Sequence, residues 1–323
     1  GADATRLSLL LGNTPGNDMK LAEEKIAGFR NFTNKLWNIA RFMLLNIEKP
    51  TVHGDIPDPK TLADKWIMWS LNNVAFKVEE NLKSFNLSFA GDLLRDFTWG
   101  TLADWYLEIA KVEGEKSEML NFLLNSILKL WHPFMPFVTE QIWSEVYGDR
   151  NHFLMMAKYP QGTMEPTGEV EEMEKIIIPT ISGIRSLRAD YKIEPVKKLN
   201  VKIGAGDKIG LLKENEEVIK KLARLEDLQI NEKTEKPAGS AGFVLGNVEV
   251  FIDVTGVIDI AKEKERLNKE ISDTEQYAQS IANKLSSDFA TRAPKAVVEA
   301  EKKKMEDSLL KVNKLKEQLN KLQ

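Results

Sequence analysis

The chain has 323 residues, 42% of them hydrophobic and 29% charged, enough for roughly two or three soluble, globular domains. Its 45 basic residues against 49 acidic ones leave a formal net charge of -4, so no global basic field recruits nucleic acid and any such binding rests on local patches. The absence of cysteine excludes disulfides, thiol nucleophiles and Cys-based metal sites; His53, His132 and His152 are out of ligand spacing, and no apolar run approaches a membrane span.

The chain opens Gly1-Ala2-Asp3-Ala4-Thr5-Arg6 without an initiator Met and reads as a piece of a longer protein. Ala4, Leu7, Leu10 and Leu11 mark a short helix over residues 3–11, ended by the Gly- and Pro-containing link Gly12 to Asp18. A long helix follows from Glu23 to Ile47. Ile26, Phe29, Phe32, Leu36, Ile39, Ala40 and Met43 fall on one side of it as a stripe bound for a core.

The other side of this helix is the informative one. Arg30, Asn34, Asn38 and Arg41 follow one another at helical spacing, flanked by Asn31 and Lys35, and the face holds no acid. An ordinary surface helix mixes both charge signs, because ion pairs one turn apart help it. Amides paired with cations suit a phosphate backbone with unstacked bases beside it: the amides match base edges and the guanidiniums take phosphates in a fork. A plain solvated surface is the alternative.

Beyond a loop with Pro50, Gly54, Pro57 and Pro59, Thr61 is placed to cap a second long helix carrying Leu62, Trp66, Trp69, Val74, Val78 and Leu82. After a turn at Asn86 to Gly91, a third helix runs through Leu93, Leu94, Phe97, Leu102, Trp105, Tyr106 and Ile109 and ends at Gly114. Ser117 caps a fourth, which breaks at Pro133 and Pro136 and resumes over Phe137 to Val146. The aromatics at helical spacing read as core. His132 reads as a packed or hydrogen-bonded histidine, and Asp104, beside Trp105-Tyr106, as a structural one.

Residues 150–170 read as a linker. A helix from Val170 to Tyr191, broken at Pro179, carries Arg185 and Arg188; Leu199 to Ile203 alternates as a strand, residues Lys208 to Leu225 are helical, and Leu228 to Ile230 and Gly242 to Val254 are strands, the last pair turning at Gly246-Asn247. From Val257 the pattern becomes heptad-like. Ile260, Leu267, Ile271, Thr274, Ala278, Ile281 and Leu285 form one run, and Val298, Met305, Val312 and Leu319 with Leu315 and Leu322 another, so an antiparallel helical hairpin is expected with Phe289 near its tip. Basic residues gather at the tip and second helix: Arg292, Lys295, Lys302, Lys303, Lys304, Lys311, Lys314 and Lys316. A solvated coiled-coil face and a phosphate-contacting arm both accommodate them.

The fold class is therefore mainly α: a helical bundle over residues 21–160, a small α/β module over 161–256 and a C-terminal antiparallel coiled-coil hairpin over 257–323. No nucleophile elbow, Gly-rich phosphate loop or paired carboxylates occur in a supporting context, so no catalytic residue and no metal ligand is assigned.

In order along the chain, GADATRLSLLLGNTPGNDMKL, FRNFTNKLWNIARF, LADKWIMWSL, ADWYLEIAK, WHPFMPFVTEQIW, ISGIRSLRADYKIEPVKKL and AKEKERLNKEI resemble the C-terminal part of bacterial valyl-tRNA synthetases, class I aminoacyl-tRNA synthetases. Isoleucyl enzymes commonly end in a cysteine-rich zinc region, which zero Cys argues against, and leucyl enzymes lack this kind of terminal hairpin.

The resemblance implies that residues 1–20 link to a catalytic domain absent here, with its HIGH and KMSKS signatures, its ATP and its Mg, and that this piece is inactive alone. It implies a helical anticodon-binding domain and an arm that packs on the tRNA elbow. Valine-specific tRNA is the implied partner, with neither membrane nor DNA, in a cytoplasmic monomer.

Carried over by position, Arg30, Asn31, Asn34, Lys35, Asn38 and Arg41 face the anticodon, with Trp37 at the edge as a stacking platform or, equally, buried against the next helix. Arg185 and Arg188 are backbone contacts; Phe289, Arg292, Lys295, Lys302 and Lys303 are elbow contacts. The tip Leu285 to Phe289 is about one residue shorter than the family's LSNxxF pattern, a change that loops tolerate. The alternative reading is a structural protein whose helical hairpin binds a protein partner.

Overall fold

The computed structural model describes residues 1–12, 21–52, 56–147, 153–163, 168–255, 260–286 and 295–321. They fall into two compact units, Gly1–Lys175 and Ile176–Gln323, so the α/β module and the hairpin arm share one unit. Among the described residues, no helix is long and apolar enough to cross a membrane.

The first unit is built of helices α1 (Ala2–Leu10), α2 (Glu23–Leu45), α3 (Leu62–Lys83), α4 (Leu87–Asp96), α5 (Leu107–Glu113), α6 (Ser117–Trp131) and α7 (Pro136–Tyr147), with a π-helical stretch, Phe97–Tyr106, between α4 and α5. Phe32, Leu36, Ile39, Ala40 and Met43 bury the expected face of α2, whereas Ile26 and Phe29 nearer its start are only half-buried. Thr61 caps α3 as expected: its hydroxyl accepts from the Asp64 N–H at 3.2 Å while the Asp64 carboxylate accepts from the Thr61 N–H at 3.3 Å, satisfying donors at both positions.

Three expectations for this unit need correction. The turn placed at Asn86 to Gly91 is already helix from Leu87, and what reads as one regular third helix is three stretches with the π run in the middle. Ser117 does not cap α6. It is the first helical residue, and its hydroxyl accepts from the Glu48 N–H at 2.9 Å, tying down the chain that leaves α2.

The opening segment has a structural use that its sequence did not disclose. The Asp3 carboxylate accepts from the Phe137 and Val138 N–H groups at 3.3 and 2.7 Å, neutralising the positive start of α7. Arg6 donates to the Pro133 and Phe134 carbonyls freed by the proline break. A short N-terminal helix is thereby fastened to the break between α6 and α7.

In the second unit, α8 (Ile178–Asp190) holds Pro179 in its first turn directly after a π-helical run, Met173–Ile177, so the break expected at Pro179 is a change of helix type within a continuing helix. A four-stranded sheet has the order β2 (Leu225–Asn231), β1 (Leu199–Gly204), β4 (Val248–Asp253), β3 (Ser240–Leu245). β1 and β2 are parallel; the other neighbours are antiparallel, and β3 and β4 turn at Gly246-Asn247, with Gly246 at φ 57°.

The crossover from β1 to β2 is two short helices, α9 (Ile209–Glu214) and α10 (Glu216–Leu222), split at buried Asn215. α8 lies on β3 so closely that a Cβ on Gly183 would fall 2.3 Å from the Phe243 ring.

The arm is α11 (Ile260–Leu285) and α12 (Lys295–Lys321). Leu267, Ile271, Ala278 and Ile281 are buried on one and Val312 and Leu315 on the other. Ion pairs Lys316–Glu275 at 2.7 Å and Lys284–Glu301 at 3.5 Å fix their antiparallel register. The hairpin thus buries its heptad seam within itself.

Candidate nucleic-acid interface

The polar side of α2 is presented to solvent. Arg30, Asn31, Asn34, Asn38 and Arg41 are all exposed, and Trp37 is 42% exposed rather than buried against a neighbour. Among the described residues, none of the five polar side chains makes a hydrogen bond or ion pair within the fold. Their donors and acceptors face water, three amides between two guanidiniums along one helix.

Lys35 differs. It is half-buried, its ammonium lies 5.1 Å from the centre of the Trp99 ring, and it pairs with the Asp104 carboxylate at 3.5 Å. The face has no acid of its own, but the neighbouring π stretch supplies one. Asp104 is therefore an exposed partner of Lys35, whereas Asp64, like Asp3, is a buried structural aspartate.

The Asp64 carboxylate accepts from the Tyr106 hydroxyl at 2.8 Å and from buried Lys116 at 2.8 Å, and Lys116 also reaches Glu113 at 2.6 Å. Burial, with Asp64 beside it, pushes the Tyr106 hydroxyl far up from its ordinary pKa, so it stays protonated and donates. This cluster locks the start of α3, the end of the π stretch and the start of α6 together.

α2 and the segment from Phe97 to Glu113 run side by side in the same direction. Phe32 meets Trp99, Lys35 meets Trp99 and Asp104, and Phe42 lies 4.9 Å from the Lys111 ammonium. Trp99 was not singled out from the sequence. Nothing in its spacing separates it from the core aromatics, although its 43% exposure does. His132 is the hydrogen-bonded histidine expected, with Nδ1 2.9 Å from the Thr139 hydroxyl, and burial lowers its pKa.

The remaining assigned residues divide. Arg188 is a correction: it is 7% exposed, and its guanidinium donates to the carbonyls of Glu194 at 3.0 Å, Lys197 at 2.6 Å and Arg224 at 3.4 Å. It closes the chain after α8 instead of awaiting a phosphate. Arg185 is exposed, but its Nε donates to the Leu222 carbonyl at 3.0 Å. Lys302 and Lys303 are exposed on α12. Phe289 and Arg292 lie outside the described residues, as does the Lys295 side chain.

Among the described residues there is no group of three or more His, Cys, Asp or Glu that could hold a metal ion. The first unit is a compact helical body with a cationic and amide-rich face unpartnered among the described residues, and the second unit carries an antiparallel helical arm.

Two family models match this chain. Residues 64–203 match the family of anticodon-binding domains of tRNA ligases, and residues 259–323 match the valyl tRNA synthetase tRNA binding arm. α2 precedes the first match, but relatives cover it. The chain is 37% identical to a valine–tRNA ligase of Geobacter sulfurreducens and 35% identical to one of Syntrophotalea carbinolica, over 100% of this chain and 38% of each relative. Against that of Carboxydothermus hydrogenoformans it is 36% identical over 94% of this chain and 36% of the relative.

The chain belongs to the valyl-tRNA synthetase family, as a C-terminal part, and spans about 38% of the length of the curated relatives it matches. Among solved structures, the LeuRS-tRNA-LeuAMS ternary complex of Agrobacterium radiobacter K84 aligns with 62% of this chain and 27% of that one, at 17% identity and a TM-score of 0.42, too low to bear on the fold.

Proposed function

We propose that this chain is the tRNA-binding portion of a valine–tRNA ligase, receiving the anticodon loop on the α2 face and the tRNA elbow on the hairpin arm. The observation that carries this is the row Arg30, Asn31, Asn34, Asn38 and Arg41, exposed and unpartnered among the described residues. Side chains that the fold does not use, of types matching phosphates and unstacked base edges, suit a single-stranded loop. Exposed Lys302 and Lys303 on α12 supply cations suited to the elbow phosphates. The acidic net charge makes such binding modest and salt-dependent.

In a full-length ligase, valine activation with ATP and Mg is the work of the remainder of the protein; no step of it is assigned to the residues of this chain, which acts as a cytoplasmic monomer. The test is binding of this chain to valine tRNA across salt concentrations, against the same tRNA with a changed anticodon. Saturable binding that weakens with salt and with the anticodon change supports the reading. Equal affinity for unrelated tRNAs overturns the anticodon assignment, and a concentration-dependent dimer lost on deleting residues 258–323 favours a protein-binding hairpin.

A further inference from the structure

Trp99 ends a column of aromatic rings that starts in the core. Phe134 meets Trp131 edge-on at 5.8 Å, Trp131 meets Phe32 at 5.0 Å, and Phe32 stacks on Trp99 at 6.2 Å with the planes only 15° apart. The first three rings are buried; Trp99 alone of the four is open to solvent, at 43%. The Trp99 indole packs against α2, and its chain neighbour Thr98 is anchored in the core. The neighbouring Thr98 hydroxyl accepts from the Trp131 indole N–H at 2.9 Å, and Lys35, tethered to Asp104, sits 5.1 Å from the ring centre.

An apolar ring of this size left exposed forgoes the burial that Phe32, Trp131 and Phe134 enjoy in the core. Here it is also immobilised, and it stands beside the unpartnered amides of α2, because Lys35 adjoins Asn34 in sequence and Asn31 and Asn38 are one turn away on either side. The stretch that presents it, Phe97–Tyr106, is π-helical, a conformation rare in proteins and frequent at functional positions.

We propose that Trp99 is a stacking platform for an unpaired nucleobase of the RNA loop that the α2 face receives, with Lys35 and Asp104 as the residues that position its indole. The inference rests on the anticodon reading above and adds to it an aromatic plane from a different element than α2, which carries Trp37. The amides match a base's edge and the arginines its phosphate, whereas an aromatic plane takes the π face, which every base has. Trp99 therefore contributes affinity with little preference among bases, and the amides contribute the discrimination.

The experiment uses an anticodon stem-loop RNA of valine tRNA with 2-aminopurine placed in turn at each loop position, titrated with the 323-residue chain and with Trp99→Leu, Trp99→Phe and Arg30→Ala. Stacking quenches 2-aminopurine, so one loop position is expected to be quenched by the parent chain and by Trp99→Phe but not by Trp99→Leu. Loss of the aromatic plane should weaken binding roughly five- to hundredfold, with the salt slope unchanged because no phosphate contact is lost.

If Trp99→Leu quenches and binds like the parent while Arg30→Ala binds more weakly, the platform is overturned and the anticodon reading stands. If the parent itself neither binds nor quenches, both fall. Trp99→Leu keeps an apolar side chain over Phe32; should it nevertheless unfold, Trp99→Phe against Lys35→Gln gives the same contrast, because a positioning role predicts partial loss of quenching on freeing the indole.

Discussion

Arg30 and Arg41 on α2 stand in water with no partner among the described residues, whereas Arg188 on α8 is buried against three backbone carbonyls. The residue type is the same and so is the helical setting. What differs is whether the fold brings orphaned acceptors to the guanidinium: the chain leaving α8 turns back through Glu194 and Lys197 and leaves carbonyls that need donors, while no loop crosses the outer face of α2 among the described residues. A cation that a fold consumes is scaffold. A cation that it leaves alone is available to a ligand.

The comparison is broken most severely at its buried extreme. Lys116→Met should cost about 3–5 kcal/mol, because Asp64 would keep a buried charge without its counter-ion, and urea unfolding measures it. A loss under about 1 kcal/mol would mean that the cluster is not structural. Arg188→Leu should cost roughly 2–3 kcal/mol by stranding carbonyls, and tRNA affinity per folded molecule should stay unchanged, read by titration below the unfolding transition.

Arg30→Ala and Arg41→Ala should do the reverse. Stability should move by no more than about 0.5 kcal/mol, while the slope of log affinity against log salt falls by about 1 for each phosphate contact removed. If either variant unfolds the protein or leaves the slope intact, the α2 face is not the surface described. The smallest effect is at His132, which burial holds below its ordinary pKa of 6.5.

The unfolded chain therefore binds a proton there that the folded one resists. Its contribution to stability is fully present above pH 6.5 and is lost as pH falls below that value toward the lowered folded pKa. His132→Asn, keeping a partner for Thr139, should flatten this part of the stability profile in unfolding measurements between neutral and mildly acidic pH.

Much of this was legible in advance. The stripe Phe32, Leu36, Ile39, Ala40 and Met43 follows from a 3.6-residue period, the Thr61 cap from its hydroxyl ahead of Leu62, the β3–β4 turn from Gly246-Asn247, and the arm from its heptads. The π run over FTWGTLADWY was not legible. A π-helix uses the same backbone groups as an α-helix with each hydrogen bond moved one residue on, and no residue type in this stretch dictates that choice, yet the contacts of Trp99, Asp104 and Tyr106 depend on it.

The two aspartates make the same point. Asp104 lies beside two aromatics and looks structural, yet it is exposed; Asp64, one of several acids near a helix start, holds the buried cluster. Burial is a property of what packs over a residue, which local pattern does not contain.

Which residues share a helix face is readable before any fold is known, because side-chain direction is set by the local backbone, and on that ground Arg30, Asn34, Asn38 and Arg41 belong together. Only the tertiary structure decided which of the polar groups have partners and which aromatic rings reach water, because both depend on segments far apart in the chain. Lys35 was assigned to Asp104, Arg188 to carbonyls beyond α8, and Trp99 to the open end of a core column for that reason.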